Sequence, residues 1–155
     1  MPSPQARNIL AEIEAVWAEL DREVTAWRER GLDGSTAAGW SAKEMLGHLA
    51  FWAEAVEGFV VSVWRQQPLP GGWAFGSGYI PGDGPWPPFQ EHNAREAAWA
   101  GGQADEAVVA RLAAAHERLV AFIGTVTGEE ADRDPQYWRD VAGHLGEHLQ
   151  ELRAT

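Results

Sequence analysis

Cysteine is absent from this 155-residue chain. No disulfide can form, no thiolate can ligate a metal, and a nucleophilic thiol in any chemistry performed here must arrive on another molecule. Positive charge is scarce: 12 lysines and arginines face 23 aspartates and glutamates, a formal net charge of −11 with histidine neutral. Such a surface repels phosphate backbones and anionic lipid, and no basic patch opposes the field, so neither nucleic acid nor membrane is expected as a partner. The N-terminus lacks a basic start followed by an apolar run, and no stretch approaches the roughly 18 apolar residues of a membrane span. The expectation is a cytoplasmic protein. Strand patterning of useful length is missing too. With 45% hydrophobic residues, a single domain over residues 1–155 with one core is expected.

What is present is helical periodicity. From Pro4 to Arg30, Ile9, Ile13, Val16, Trp17, Leu20, Val24 and Trp27 recur at three- and four-residue intervals, and Gly31 and Gly34 then end the pattern. A second helix starts at Ser41, which with Glu44 forms a capping-box signature, and runs to about Gln66 with Met45, Leu49, Trp52, Val56, Phe59, Val60 and Val63 as its apolar stripe. A short helix over Gln90–Trp99 is broken at Gly101 and Gly102. A longer one over Ala104–Val126 follows, with Val108, Leu112, Ala115, Leu119, Phe122 and Val126 facing inward. GEEADRD reads as an acidic turn before the last helix, where Pro135 suits a first-turn position and Tyr137, Val141, Leu145 and Leu152 repeat. Four long amphipathic helices predict an all-α four-helix bundle. Trp17 and Trp27 are candidates for a homodimer interface.

Between Gln67 and Pro88 the periodicity stops and prolines crowd with glycines. Connections longer than about 12–15 residues are uncommon in compact domains and are often lids or binding loops. This one carries Trp73, Phe75, Tyr79 and Trp86, which either cover an edge of the bundle or line a pocket.

Chemistry concentrates in the histidines. His144 and His148 lie four residues apart, one turn on a helix, a spacing that lets two imidazole nitrogens converge on one ion. On an ideal wheel His148 lies roughly 40° and His144 about 80° from the centre of the last helix's apolar stripe. His48 sits at the margin of the second helix's stripe and is the candidate third ligand. Three histidines would leave a coordination position open, as in catalytic rather than structural sites. A hydrogen-bonded core role is the alternative for each of them. His92 and His116 are competing candidates without a histidine neighbour at helical spacing.

The segments GWSAKEMLGHLAFWAEAV and YWRDVAGHLGEHLQEL resemble the second and last helices of the DinB-like superfamily of four-helix-bundle metalloproteins, which includes YfiT-like and mycothiol-dependent proteins. The resemblance implies that His48, His144 and His148 hold one divalent metal ion, zinc or nickel foremost. Asn93 in EHNAREAAW is similar to an asparagine entering the family's third helical region. One departure is His144, where some mycothiol-dependent members carry glutamate.

An open three-histidine ion admits two reactions. It can lower the pKa of a low-molecular-weight thiol cosubstrate and present it to a small electrophile, as a thiol-dependent S-transferase, or it can activate water, as a hydrolase. A non-catalytic protein that sequesters a small molecule is the third reading. Trp52, Trp86 and Asn93 are the candidate substrate-pocket residues. Asp140 and Glu151 are candidates to orient an imidazole, Glu147 lies between the two histidines in sequence, and no residue is assigned as catalytic base.

Overall fold

Ser3 stands just ahead of the first helical turn, and its hydroxyl accepts a hydrogen bond from the Ala6 amide, satisfying a donor that the helix itself leaves open. Pro4 follows in the first turn, where the missing N–H is no loss. Helix α1 then runs Pro4–Arg30 as expected and ends on Gly31, whose φ of 90° falls in the left-handed region. The computed structural model describes residues 1–81 and 89–154. Among them are α2 (Ala42–Phe59), a π-helical turn (Val60–Trp64), α3 (Phe89–Gly101), α4 (Asp105–Ile123), α5 (Gly128–Arg133) and α6 (Pro135–Arg153), and no strand. The all-α class expected from periodicity is the one the chain forms.

Two compact units can be distinguished: residues 1–42 with 120–155, and residues 43–119. In the first, α1 packs along α6. Ile13, Leu20, Val24 and Trp27 of α1 are buried, as are Trp138, Ala142, Leu145, Leu149 and Leu152 of α6. The Trp27 indole N–H donates to the Leu152 carbonyl at 3.3 Å, so a buried aromatic ring also satisfies a carbonyl near the helix end. This places Trp27 in the core of its unit. The inward stripe of α6 is also offset by one residue from expectation: Trp138 and Ala142 are buried, while Tyr137 and Val141 are only partly covered. GEEADRD is not a turn but forms α5, started by a reciprocal box in which Thr127 accepts from the Glu130 amide and Glu130 accepts from the Thr127 amide.

In the second unit α2 is buried almost all round, including Leu46, Ala50 and Phe51, which a one-sided stripe leaves out. With its π-helical turn, Ala42–Trp64 is long and apolar enough to cross a membrane by length and composition, contrary to expectation, and 67% of its most apolar window is buried inside the protein. A helix at the centre of a packed unit has this composition for the same reason a spanning one does. Gly47 permits α3 to come close: a Cβ there would stand 2.5 Å from that of Ala100. The stripe expected for α4 is buried throughout, from Val108 to Phe122, with Val126 just beyond the helix.

Residues 67–81 form an ordered strap, fastened to its own unit. The Phe75 amide donates to the Tyr79 carbonyl and the Gly78 amide to the Phe75 carbonyl, closing a tight turn with Gly78 at φ 88°. Trp73 and Phe75 are buried against Phe51 and Ala55, with Trp52, Leu69 and Tyr79 packed at the margin. Trp73 and Phe75 thus belong to the core of this unit. Trp86 lies outside the described residues.

Candidate metal centre

Helix α6 begins on Asp134, whose carboxylate accepts from the Tyr137 amide at 3.1 Å, with Pro135 in the first turn. Inward packing of Leu145 and Leu149 fixes the rotation of the helix and leaves His144 and His148 beside that stripe, both partly buried. Their rings stand edge to face, centroids 4.5 Å apart, with Nε2 of one 3.0 Å from Nε2 of the other. Two nitrogens each roughly 2.0–2.1 Å from one tetrahedral ion are about 3.3 Å apart, so this pair stands close to the spacing that chelation requires.

On the far side of the His148 ring, Nδ1 lies 3.0 Å from Glu151 Oε2. A carboxylate can only accept, so Nδ1 carries the proton and Nε2 presents its lone pair toward His144. Burial first, and then the neighbouring His148, push the His144 pKa down to about 4, which keeps that imidazole neutral and able to ligate at physiological pH.

His48 is buried within α2, its ring edge-on to Trp52 at 6.2 Å between centroids. His48, His144 and His148 each offer a ligand nitrogen, and these atoms all lie within 4.8 Å of one another. Among the described residues this is the group of histidines and carboxylates with the spacing to hold an ion. Three imidazoles are a donor set suited to a borderline divalent metal. That group does not include the other two histidines. His92 is buried among Phe51, Phe75 and Tyr79, its pKa lowered by burial and by Arg95, while His116 is buried on α4. Asp140 accepts from Gln136 at the surface, Glu147 is exposed, and Glu151 alone of the three candidate carboxylates holds a ligand imidazole.

Of the pocket candidates, Trp52 and Asn93 meet: the indole N–H donates to Asn93 Oδ1 at 3.1 Å. Sequence reasoning missed a buried ionic cluster in the same unit. Arg111 of α4 donates to both oxygens of Glu54 on α2 at 2.6 and 3.1 Å, and to Glu96 on α3 at 2.6 Å. Burial alone would lower the Arg111 pKa, but hydrogen bonds and charge from the two carboxylates more than reverse it. The strap closes over this cluster, with the Gly76 amide donating to Glu54 and the Ser77 hydroxyl to Glu96. A signal existed in the sequence: Glu54 is the one charge in the apolar run from Leu49 to Val56, and a charge there needs a buried partner.

An all-helical protein with three histidines gathered at one point is the class that fold and site define. The sequence profile of the DinB superfamily matches residues 5–152, and the chain belongs to that superfamily. No curated protein and no solved structure matches it significantly.

Proposed function

We propose that His48, His144 and His148 hold one divalent metal ion with an open face, and that the protein uses it as a thiol-dependent S-transferase acting on small electrophiles. The observation that carries the reading is the grouping of three histidine nitrogens within 4.8 Å of one another. When bound there, a divalent ion supplies the Lewis acidity that lowers the pKa of a thiol reaching its open face.

The chain's own residues prepare that chemistry. Glu151 holds His148 in the tautomer that presents Nε2, and burial keeps His144 unprotonated. The absence of cysteine makes the thiol a cosubstrate. The thiol loses its proton to solvent, its sulfur forms a bond to the electrophilic carbon, and the leaving group departs with the bonding pair.

The test is to load the protein with zinc or nickel and supply cysteamine with an alkyl or aryl halide, following thioether by mass spectrometry. Thioether formation that drops to the uncatalysed background in His148→Ala supports the transferase. Loss of the halide without added thiol makes the protein a hydrolase instead. Binding of the halide without turnover leaves it a sequestering protein.

A further inference from the structure

The strap of residues 67–81 carries no aspartate, glutamate, lysine or arginine, yet charge fastens it. Its Gly76 amide donates to Glu54 at 3.1 Å, its Ser77 hydroxyl to Glu96 at 2.8 Å and its Trp73 indole N–H to Glu57 at 2.9 Å. Each of these carboxylates also receives an arginine of α4, Arg111 for Glu54 and Glu96, and Arg118 for Glu57. Hydrogen bonds to ionised acceptors are roughly twice as strong as neutral ones, so three of them latch a segment that has no helix or strand of its own.

What the latch holds reaches His48 by two routes inside the same unit. The first is aromatic: Phe75 of the strap packs on Phe51 at 5.0 Å between centroids, Phe51 on Trp52 at 5.4 Å, and Trp52 on His48 at 6.2 Å. The second runs through α3. Glu96, tied to Ser77 and Arg111, fixes that helix, and its Asn93 accepts from the Trp52 indole N–H at 3.1 Å. The same helix meets α2 at Gly47, the residue before His48, where a Cβ would stand 2.5 Å from that of Ala100 and 3.4 Å from the Glu96 carbonyl oxygen. Packing as close as this passes a shift on rather than absorbing it.

We propose that the strap regulates the metal centre: latched, it holds His48 in the position that ligates, and released, it lowers the affinity for the ion, with Phe75 and Glu96 as positioning residues. The inference rests on the metal-centre reading of the proposed function. Coupling between two equilibria is reciprocal, so an ion held by His48 slows strap opening by the same factor by which opening weakens the ion.

The test is amide hydrogen exchange in the full chain, metal-free and zinc-saturated, read residue by residue by nuclear magnetic resonance. In the metal-free protein the Phe75, Gly76 and Gly78 amides are expected to exchange ahead of those in α4, the mark of local opening, and zinc is expected to slow them about fivefold or more. Strap exchange in step with α4, or strap rates left unchanged by zinc that does bind, overturns the proposal. Ser77→Glu sets a carboxylate against Glu96 and opens the strap, and is expected to weaken zinc in a competitive chelator titration by the factor seen in exchange, with Ser77→Ala losing less. A folded Ser77→Glu with an opened strap and wild-type zinc affinity also overturns it, and should that variant not fold, the exchange result decides alone. Wild-type protein that binds no zinc overturns the metal-centre reading and this inference with it, whereas bound zinc with an indifferent strap overturns this inference alone.

Discussion

Glu151 accepts from Nδ1 of His148, one ring away from the nitrogen that faces His144. A carboxylate behind an imidazole fixes its tautomer and raises its basicity, and loss of such a partner lowers metal affinity by roughly 10–100-fold. Glu151→Ala is expected to weaken zinc binding by about that factor in a competitive chelator titration. Glu151→Gln, which retains an acceptor, should lose less.

Acid should destabilise the metal-free protein through its histidines. Unfolded imidazoles take up protons near pH 6.5, whereas folded His144 resists to about pH 4. Between those values the unfolded state binds more protons, so stability is complete above pH 6.5 and falls as pH drops toward 4, by up to roughly 3 kcal/mol from this residue. His92, also lowered, acts in the same direction. Urea unfolding midpoints measured from pH 7.5 to 4, in steps of about half a unit, should fall more steeply in the wild type than in His144→Gln.

The ionic cluster under the strap should be intolerant of losing its cation. Arg111→Met strands the carboxylates of Glu54 and Glu96, whose side chains are only 9% and 0% exposed. Breaking a buried pair in this way costs about 3–5 kcal/mol, to be read from chemical unfolding.

Gly76 tests how the strap is fastened. A Cβ there would stand 2.5 Å from Arg111 Nε and 2.6 Å from Glu54 Oε2, atoms held by their own hydrogen bonds. Gly76→Ala is expected to destabilise the protein by about 1–3 kcal/mol and to speed hydrogen exchange at the Phe75 and Gly78 amides more than in α4. Uniform exchange rates across both segments would mean the strap is not held locally.

Much of this was legible before any coordinates. The bounds of α1 follow from its periodicity and Gly31, and the stripe of α4 is buried residue for residue, because amphipathic helices declare their inner face. The histidine trio was legible as an i, i+4 pair plus a positional resemblance. What escaped has physical reasons. Helix α5 is six residues long and acidic, so it carries no apolar stripe to detect. The inward face of α3 is His92, Glu96 and Ala100, a line that hydrophobic periodicity does not register because two of its three members ionise. Buried all round, α2 offers no single stripe, so Phe51 and Leu46 did not stand out from Trp52.

The central claim is that His48, His144 and His148 share one ion, and anomalous diffraction from crystals of zinc- or nickel-loaded protein, collected at the absorption edge of the metal, tests it most directly. A single peak roughly 2.0–2.1 Å from a nitrogen of each of the three imidazoles is the expected result. A fully loaded crystal with no peak among them, or with its peak elsewhere, would contradict it.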